Sequence, residues 1–409
     1  MPQRKAAPQK AAAPDSHEKL IQTPKAVAKL AEGFAGQPVI AFDTEFLRER
    51  TFFPQLGLIQ VADREQAWLV DPLSLSKRDL QPLLDVFTDP KVLKVAHAVE
   101  QDQECLYNGY GIVAAPVLDT AVAAALTGHG DQVGLSNLMR KLLNIRLAKG
   151  HTRTDWLKRP LPAAMADYAL ADVEHLVEAA EKLLAELDAR GRRDWALKLS
   201  EELGNPSRYN PDPEEMTRQM ALSRRLDAQE YTVLRELVAW REERVRKADV
   251  PRRWLAEDQV LVKLASAQPS TPEELSNFRG LGSRMRDIGA DGLLKAIRRG
   301  AAAPPEKRVT PPRRLESDSE ETPALAVLKC FVGLLAGEHQ VPVRYLVDSD
   351  AYIRLLRGRF TSTAELRKSG LLSPHALEWL GEEIVAFLNG KRGLKLAAGK
   401  AVRYEVEES

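Results

Sequence analysis

The segment VIAFDTEFLRERTFFPQ, residues 39–55, contains a short apolar run that ends in two acidic residues. The run 39–42 has the character of a buried β-strand, and Asp43 and Glu45 stand at its end. Because side chains alternate between the two faces of a strand, these carboxylates project from the same side. Neighbouring carboxylates repel each other and are costly to bury without a partner. The segment therefore predicts a second, positive charge at the end of this strand.

The surrounding sequence predicts an α/β domain with a mixed sheet. PVIAFDTEF, QLGLIQVAD and QAWLVDP have strand character and are separated by polar turn residues. A helix is predicted at 76–88, followed by the strand KVLKVAH, a helix across EQDQECLYN, and a strand-to-helix passage in PVLDTAVAAALTG. GLSNLMRKLLNI and residues 163–187 have helical periodicity. The order βββαβαβα with later helices is typical of an α/β fold.

Composition divides the chain into segments. Residues 1–20 are rich in Pro, Ala and Lys and predict a disordered tail, and the α/β domain covers 21–205. Helical patterns then occupy 215–303 and 324–409. Between these two helical blocks, residues 304–323 combine prolines with a basic and then an acidic run, which predicts a linker.

The two helical blocks are related to each other. VPRRWL at 250–255 returns as VPVRYL at 341–346, and STPEEL at 270–275 returns as TSTAEL at 361–366. Both pairs stand at one constant offset, which indicates a diverged tandem repeat of a small helical domain.

Overall composition is ordinary for a soluble globular protein. Among the 409 residues, 44% are hydrophobic and 29% are charged, and the net charge is +1, so any surface for nucleic acid must be local. Cys105 and Cys330 are far apart and imply no disulfide framework, which fits a reducing cytoplasm. No apolar run approaches the roughly 20 residues of a membrane span, and the N-terminal segment lacks the apolar core of a signal peptide. We expect a cytoplasmic protein with no membrane partner.

Three further residues are suited to complete a site around the two acids. Asp102 stands just after a predicted strand, early in a helix, and Tyr168 and Asp172 are four residues apart on one helical face. Four acids would be unstable as a bare cluster, and Mg²⁺ or Mn²⁺ would neutralise it because these ions prefer oxygen ligands. The histidines show no paired spacing and the cysteines are isolated, so no zinc site is predicted. Asp119 is expected to cap the helix that begins near Thr120 and not to bind metal.

Such a cluster has a definite chemical use. Two divalent ions about 3.5–4 Å apart can activate a water and stabilise the leaving oxygen of an in-line phosphoryl displacement. Asp43 would bridge the ions, Glu45 and Asp172 would complete one site, and Asp102 would serve the second, often through waters. Tyr168 would hydrogen-bond the attacking water, and its reference pKa of about 10 makes it a better orienter than proton acceptor at neutral pH.

These motifs resemble, in order and spacing, those of the ribonuclease D family of the DEDD 3′→5′ exonuclease superfamily. FDTEF matches the first exonuclease motif, HAVEQD the second, and YALAD the third in the Tyr-x-x-x-Asp form of the tyrosine subclass. TRTDWLKRPL, with PVLDT ahead of it, is similar to segments typical of the family. Both helical repeats resemble HRDC domains, although the second has lost much of the arginine-rich entry helix of the first.

The resemblance implies both a fold and an activity. The fold is a ribonuclease H-like DEDD exonuclease domain with a mixed sheet, followed by two small all-α domains, the first HRDC and the second HRDC-like. The activity is metal-dependent 3′→5′ hydrolysis of RNA to nucleoside 5′-monophosphates, with two Mg²⁺ or Mn²⁺ ions and no nucleotide cofactor. The expected partners are tRNA precursors and other small structured RNAs with accessible 3′ ends, and the protein is expected to be a monomer. The HRDC repeats would help to hold folded RNA.

Two alternative functions stay open. A DNA exonuclease of the same superfamily would use the same metals, and contacts to the 2′-OH would distinguish it. A non-catalytic scaffold that binds nucleic acid on an inactive exonuclease fold is the other alternative. The presence of all four acids and Tyr168 argues against it.

Several residues outside the acid cluster are candidates for nucleic-acid contact. The basic run KGHTRTDWLKR is either a solvated loop or a phosphate-binding segment close to the scissile end. Trp156 either packs or stacks on a terminal base, His97 either makes a structural hydrogen bond or binds a ligand, and Phe46 is expected in the core or, alternatively, as a wedge at the 3′ end. The candidates are Phe46, His97, Lys149, Arg153, Trp156 and Arg159, with Arg252, Arg253 and Lys263 in the first helical repeat.

Overall fold

A computed structural model describes residues 16–148, 154–276, 278–285, 289–304, 307–313 and 315–406. The chain forms two compact units. Unit 1 comprises Met1–Thr120, Gly134–Ala185 and Arg193–Asn210, and unit 2 comprises Ala121–Val133, Glu186–Arg192 and Pro211–Ser409.

A mixed sheet forms the centre of unit 1, as predicted, and it has six strands. Its strands are β1 (Leu20–Ile21), β2 (Val39–Leu47), β3 (Gln55–Ala62), β4 (Ala67–Val70), β5 (Leu93–Ala96) and β6 (Val117–Asp119). They lie in the order β1-β4-β3-β2-β5-β6. The β2–β3 and β3–β4 pairs are antiparallel, whereas β1–β4, β2–β5 and β5–β6 are parallel.

Helices follow the strands along the first half of the chain. They are α1 (Pro24–Phe34), α2 (Lys77–Thr88), α3 (Glu100–Tyr110), α4 (Thr120–Leu126), α5 (Leu135–Leu143), α6 (Ala163–Val173), α7 (Leu176–Ala189) and α8 (Arg193–Leu203). The helix expected over 163–187 is two helices, α6 and α7. No glycine or proline stands at their junction, so composition gave no signal for the interruption.

The two faces of the sheet differ in what covers them. One face carries Ile40 and Phe42 of β2 and Ile59 and Val61 of β3, which share an apolar core with residues of α1, α2 and α3. Residues at the alternate positions, such as Asp43, point to the other face, where α6 packs across β2, β3 and β4. The sheet thereby separates an apolar core from the face that carries the acids.

Part of the predicted tail is folded. Residues Ser16–Lys19 form a 3₁₀ helix, and β1 at Leu20–Ile21 pairs in parallel with β4. The prediction of disorder over 1–20 is therefore wrong for residues 16–20, and residues 1–15 lie outside the described part of the chain.

Unit 2 is mainly helical. Its remaining helices are α9 (Pro213–Ala221), α10 (Ala228–Ala248), α11 (Asp258–Ala267), α12 (Pro272–Ser276), α13 (Ala290–Ala301), α14 (Glu321–Glu338), α15 (Ala351–Arg357), α16 (Thr363–Ser369) and α17 (Pro374–Leu388). The two copies of the sequence repeat show the same order of elements: α10 and α14 are each followed by a 3₁₀ helix, at Arg252–Trp254 and Val343–Tyr345, and then by α11 and α15.

The C-terminal end of unit 2 departs from the all-helical prediction. Strands β7 (Arg392–Ala397) and β8 (Lys400–Glu405) form an antiparallel hairpin after α17. Arg392 and Arg403 both contact Glu383 of α17, at 3.1 and 2.7 Å, so ion pairs attach the hairpin to that helix. The prediction of a purely α-helical block over 324–409 is wrong for these strands.

A buried ionic network stabilises the first repeat. Arg241 and Glu242 of α10 are both buried, and Arg252 contacts the Glu242 carboxylate through two nitrogens, at 2.7 and 2.8 Å. Arg241 also bonds the carboxylate of Asp258 at 2.7 Å. Arg252, a candidate for nucleic-acid contact, is thus engaged within the protein.

None of the helices that the structure describes combines the length and the apolar character that crossing a membrane requires.

Candidate active site

The end of β2 that carries the acids extends past its parallel neighbour. β2 pairs with β5 only over Val39–Ala41, but with β3 from Ala41 to Leu47. Beyond Ala41, one edge of β2 is therefore open to a group other than a strand. α3, which follows β5, supplies that group.

Asp102 in the first turn of α3 bonds this open edge. Its Oδ1 accepts hydrogen bonds from the backbone N–H of Thr44 at 3.0 Å and from the Thr44 hydroxyl at 2.5 Å. Asp102 is buried, with 5% of its surface exposed. Thr44 lies between Asp43 and Glu45 in the sequence, and its hydrogen bonds fix the position of Asp102.

Asp119 positions the turn that leads into α3. Its carboxylate accepts hydrogen bonds from the backbone N–H groups of Ala98 and Val99 at 2.9 and 3.2 Å, where Ala98 has a positive φ of 57°. Asp119 therefore stabilises the entry to α3, and its expected capping of the helix that begins near Thr120 stays a prediction. Its hydrogen bonds hold the turn that precedes α3, the helix that carries Asp102.

α6 brings the third motif to the same place. Carboxylate oxygens of Asp43, Glu45 and Asp172 all lie within 4.8 Å of one another. The Tyr168 hydroxyl, one helical turn before Asp172, donates a hydrogen bond to the Asp172 carboxylate. Segments that are remote in sequence thus place three acids in one cluster.

The pKa values of all four acids at the site are raised above their usual values. Burial, then repulsion by Asp102, Asp172 and Glu45, raises the pKa of Asp43 well above its usual value. Burial and the neighbouring carboxylates raise the pKa of Glu45 to about 8, and burial raises that of Asp172 to about 6. Burial also raises the pKa of Asp102 to about 7, although the hydrogen bonds from Thr44 act in the opposite direction.

All four acids and Tyr168 line a single cavity of about 980 Å³. Phe46 also lines it and is half-buried, so the expectation of a core position for Phe46 is wrong. Beside Phe46 the β2–β3 register shifts, because Gly57 of β3 has no residue opposite it.

Trp156 packs against Tyr168. It is 4% exposed, lines the cavity, and its ring lies 6.2 Å from that of Tyr168 at an interplanar angle of 34°. A Cβ atom at Gly57 would lie 2.6 Å from the Trp156 carbonyl oxygen, so only glycine permits this approach. Such burial favours the packing role of Trp156 over base stacking.

Arg159 is bound within the protein. Its guanidinium bonds both oxygens of Asp71 at 2.9 and 2.7 Å and the carbonyl of Gly57 at 2.6 Å. Burial alone would raise the pKa of Asp71, but hydrogen bonds from Arg159, Gln22 and Ser74 lower it to about 2. These contacts give no support to a phosphate contact at Arg159.

The other predicted contact residues have separate outcomes. His97 lines the cavity, and its Nδ1 lies 2.8 Å from the Thr120 hydroxyl, which is the structural hydrogen bond expected for it. Lys149 and Arg153 lie outside the described residues.

Three residues that line the cavity were not predicted from the sequence: Arg48, Arg50 and Thr44. Arg48 and Arg50 line the cavity; Arg48 is paired with Glu104 at 2.6 Å, whereas no ion pair is found for Arg50 among the described residues. Both stand in LRER, directly after the first motif, and the charge of that segment was the signal that could have found them. Thr44 was missed because its partner Asp102 is remote in sequence.

The acid cluster fits divalent cations. It offers hard oxygen ligands from β2 and α6, with Asp102 of α3 in the same cavity, and burial together with mutual repulsion raises the pKa values of Asp43 and Glu45. A cation would relieve their repulsion, and carboxylates are the usual protein ligands of Mg²⁺ and Mn²⁺.

Two family models match the chain. The 3′-5′ exonuclease model matches residues 19–188, which include all four acids and Tyr168. The HRDC domain model matches residues 230–297, in the first helical repeat. The second HRDC-like domain stays a prediction.

Curated relatives and a solved structure agree with these matches. The ribonuclease D of Nitrobacter hamburgensis is 32% identical over 390 residues, which cover 94% of this chain and 99% of the relative. That of Sphingobium indicum is 34% identical over 384 residues, or 93% and 97% of the two chains. The crystal structure of Escherichia coli RNase D, described as an exoribonuclease involved in structured RNA processing, is similar with a TM-score of 0.75 and 28% identity over 91% of this chain and 98% of that one.

Proposed function

Since the chain belongs to the ribonuclease D family of 3′→5′ exoribonucleases, we propose that the three clustered acids and Asp102 hold two divalent ions, Mg²⁺ or Mn²⁺, with which it hydrolyses RNA. The observation that supports this proposal is the convergence of Asp43, Glu45 and Asp172, with oxygens within 4.8 Å of one another, in the cavity that Asp102 also lines. Ions bound there would supply activation of a water and stabilisation of the leaving oxygen.

The four acids would have different roles as metal ligands. Asp43, which is repelled by all three other acids, is the ligand best placed to be shared between two ions. Glu45 and Asp172 would complete one site with it. Asp102 would serve the second site with Oδ2, because its Oδ1 is already bonded to Thr44.

Tyr168 would orient the attacking water without taking its proton. Burial and the nearby Asp172 raise the pKa of the Tyr168 phenol above its ordinary value, so the hydroxyl is neutral at physiological pH. The hydroxyl donates a hydrogen bond to Asp172, and a hydroxyl oxygen can at the same time accept a hydrogen bond from the water. We assign the protein to the tyrosine subclass on this basis.

The walls of the cavity provide contacts for the 3′ end of the RNA. Phe46, half-buried on the wall, offers an aromatic face on which the terminal base can stack. Arg50 is exposed beside it and supplies a cation for a phosphate. Lys149 and Arg153 stay candidates for the same role.

The substrates we propose are the 3′ trailers of tRNA precursors and other small structured RNAs, processed by a cytoplasmic monomer. The HRDC domain at 230–297, and a second HRDC-like copy that begins at about residue 324, would help to hold the folded part of such RNAs. A structured RNA would then be shortened only to its stem.

One assay tests the activity and its metal requirement together. RNA labelled at the 5′ end, and a DNA of the same sequence, are incubated with the protein in Mg²⁺, in Mn²⁺ or in a chelator, and the products are resolved nucleotide by nucleotide. We expect RNA to shorten by single nucleotides from its 3′ end, to release nucleoside 5′-monophosphates, and to stay intact in the chelator. Internal cleavage, or equal activity in the chelator, would contradict the proposal.

A further inference from the structure

Gln60 of β3 is a buried amide without a hydrogen-bond partner. It is 0% exposed, and neither Nε2 nor Oε1 has a partner among the described residues. Gln103, equally buried, shows the usual arrangement, because its Nε2 and Oε1 bond the carbonyl and the N–H of Ala114, both at 2.7 Å. An unsatisfied buried polar group costs about 1–3 kcal/mol, so the position of Gln60 requires an explanation.

The position of Gln60 is directly beside the acid cluster. In the β2–β3 register Gln60 is opposite Asp43, and in the β3–β4 register it is opposite Leu69. Directly opposed residues of an antiparallel pair point to the same face, with their Cβ atoms about 4.5–5.5 Å apart. The Gln60 side chain therefore shares the face of Asp43, under α6, and not the apolar face of its neighbour Ile59.

We propose that Gln60 is a positioning residue for the metal site, whose amide N–H donates to the Asp43 carboxylate, directly or through one buried water, when cations are held there. This inference rests on the proposed metal-dependent function. Carboxylates that bind metals are themselves usually hydrogen-bonded, and loss of such an outer partner typically weakens metal binding about 10- to 100-fold.

The chemistry of an amide suits this position. A glutamine donates a hydrogen bond and carries no charge, so it orients Asp43 without competing with a cation for the carboxylates. A lysine or arginine at the same place would neutralise the cluster and displace the ions. A leucine would fill the space but would leave Asp43 without an outer donor.

Gln60→Met tests the proposal, because methionine has nearly the same shape and cannot donate. We expect the melting temperature of the metal-free variant to equal or exceed that of wild type, since an unsatisfied group has been removed. We expect its Mn²⁺ affinity, measured by calorimetry without RNA, to fall about 10- to 100-fold. Activity should recover at higher Mn²⁺ concentration.

Ser266→Ala provides the matched control. The Ser266 hydroxyl is also buried and has no partner within the part of the chain that the structure describes, but it lies in α11 and not at the cavity. We expect this variant to keep the wild-type Mn²⁺ affinity.

The outcomes separate this inference from the proposed function. If wild type binds no Mn²⁺, the metal site itself is wrong. If wild type binds Mn²⁺ and the Gln60→Met variant binds it equally well, only the role of Gln60 is overturned. A metal-free Gln60→Met protein that melts well below wild type, with unchanged Mn²⁺ affinity, would show that Gln60 is merely structural.

Discussion

Thr44 holds Asp102 through two hydrogen bonds to the same carboxylate oxygen, one from its backbone at 3.0 Å and one from its hydroxyl at 2.5 Å. Thr44 belongs to the strand of the first motif and Asp102 to the helix of the second. The pair therefore fixes the distance between two motifs that are remote in sequence. It also leaves the other oxygen of Asp102 available for a cation.

Thr44→Val removes only the hydroxyl and should loosen this connection. A hydrogen bond to a charged group is worth about 1.5–3 kcal/mol, so we expect a loss of that order in the free energy of unfolding, measured in urea. We also expect kcat to fall, because Asp102 is then held only by the backbone N–H of residue 44. Thr44→Ser keeps the hydroxyl and should retain most of both. Equal behaviour of the Val and Ser variants would refute this role of the hydroxyl.

The metal-free protein should lose stability as the pH rises. A carboxyl whose pKa is higher in the folded state than in the unfolded state holds more protons when folded, so the free energy of unfolding decreases with pH between the two values. For Glu45 that window extends from 4.5 to about 8. We expect the melting temperature in chelator to fall from pH 5 to pH 8.

Two comparisons isolate the acid cluster as the cause of this pH dependence. Glu45→Gln cannot lose a proton and should show a shallower decrease in melting temperature. Saturating Mg²⁺ should raise the melting temperature of wild type most at pH 8, where the repulsion is greatest. A melting temperature that increased from pH 5 to pH 8 in chelator would contradict the raised pKa values.

Tyr168→Phe should reduce kcat much more than the affinity for RNA or metal. Removal of one preorganised hydrogen-bonding group typically costs on the order of 10²-fold in kcat. Phenylalanine keeps the ring contact with Trp156, so the fold should be preserved. Steady-state kinetics on a single-stranded oligomer would measure the effect, and an unchanged kcat would exclude Tyr168 from the reaction.

Arg50 and Arg159 form a matched pair of arginines with opposite expected effects. Arg50→Ala should raise KM for RNA and reduce the salt dependence of binding by about 0.7 in the slope of log K against log salt, while the melting temperature is retained. Arg159→Ala leaves the carboxylate of Asp71 without its charged partner. We expect it to lower the free energy of unfolding by on the order of 3 kcal/mol. If KM for RNA changed in the Arg159→Ala variant and not in the Arg50→Ala variant, Arg159 and not Arg50 would be the arginine that binds RNA.

The sequence was most informative where local pattern decides structure. The apolar run before Asp43 and the four-residue spacing of Tyr168 and Asp172 are properties of single elements, and β2 and α6 contain them as predicted. The convergence of the acids then follows from the parallel pairing of β2 with β5, which places the N-terminal end of α3 beside Thr44.

Features that depend on remote partners could not be predicted in this way. The register shift beside Phe46 is a property of the pairing between β2 and β3, not of β2 itself. Arg159 was one of the candidates for RNA contact, and its segment gave no sign of its partner Asp71, which is 88 positions away in the chain. The unsatisfied amide of Gln60 likewise becomes visible only when β3 is placed against its neighbours.

The central claim is that the acid cluster holds the metal ions that hydrolyse RNA, and Asp43→Asn tests it most directly. The substitution removes one negative charge from the centre of the cluster and preserves the shape of the side chain. The measurement is the rate at which 5′-labelled RNA is shortened in Mg²⁺ by the variant and by wild type, with equal melting temperatures in chelator as the check on folding. We predict that the variant loses at least about 10³-fold in rate, a loss of the order of several kcal/mol of transition-state stabilisation. Shortening of the RNA at the wild-type rate would contradict the account.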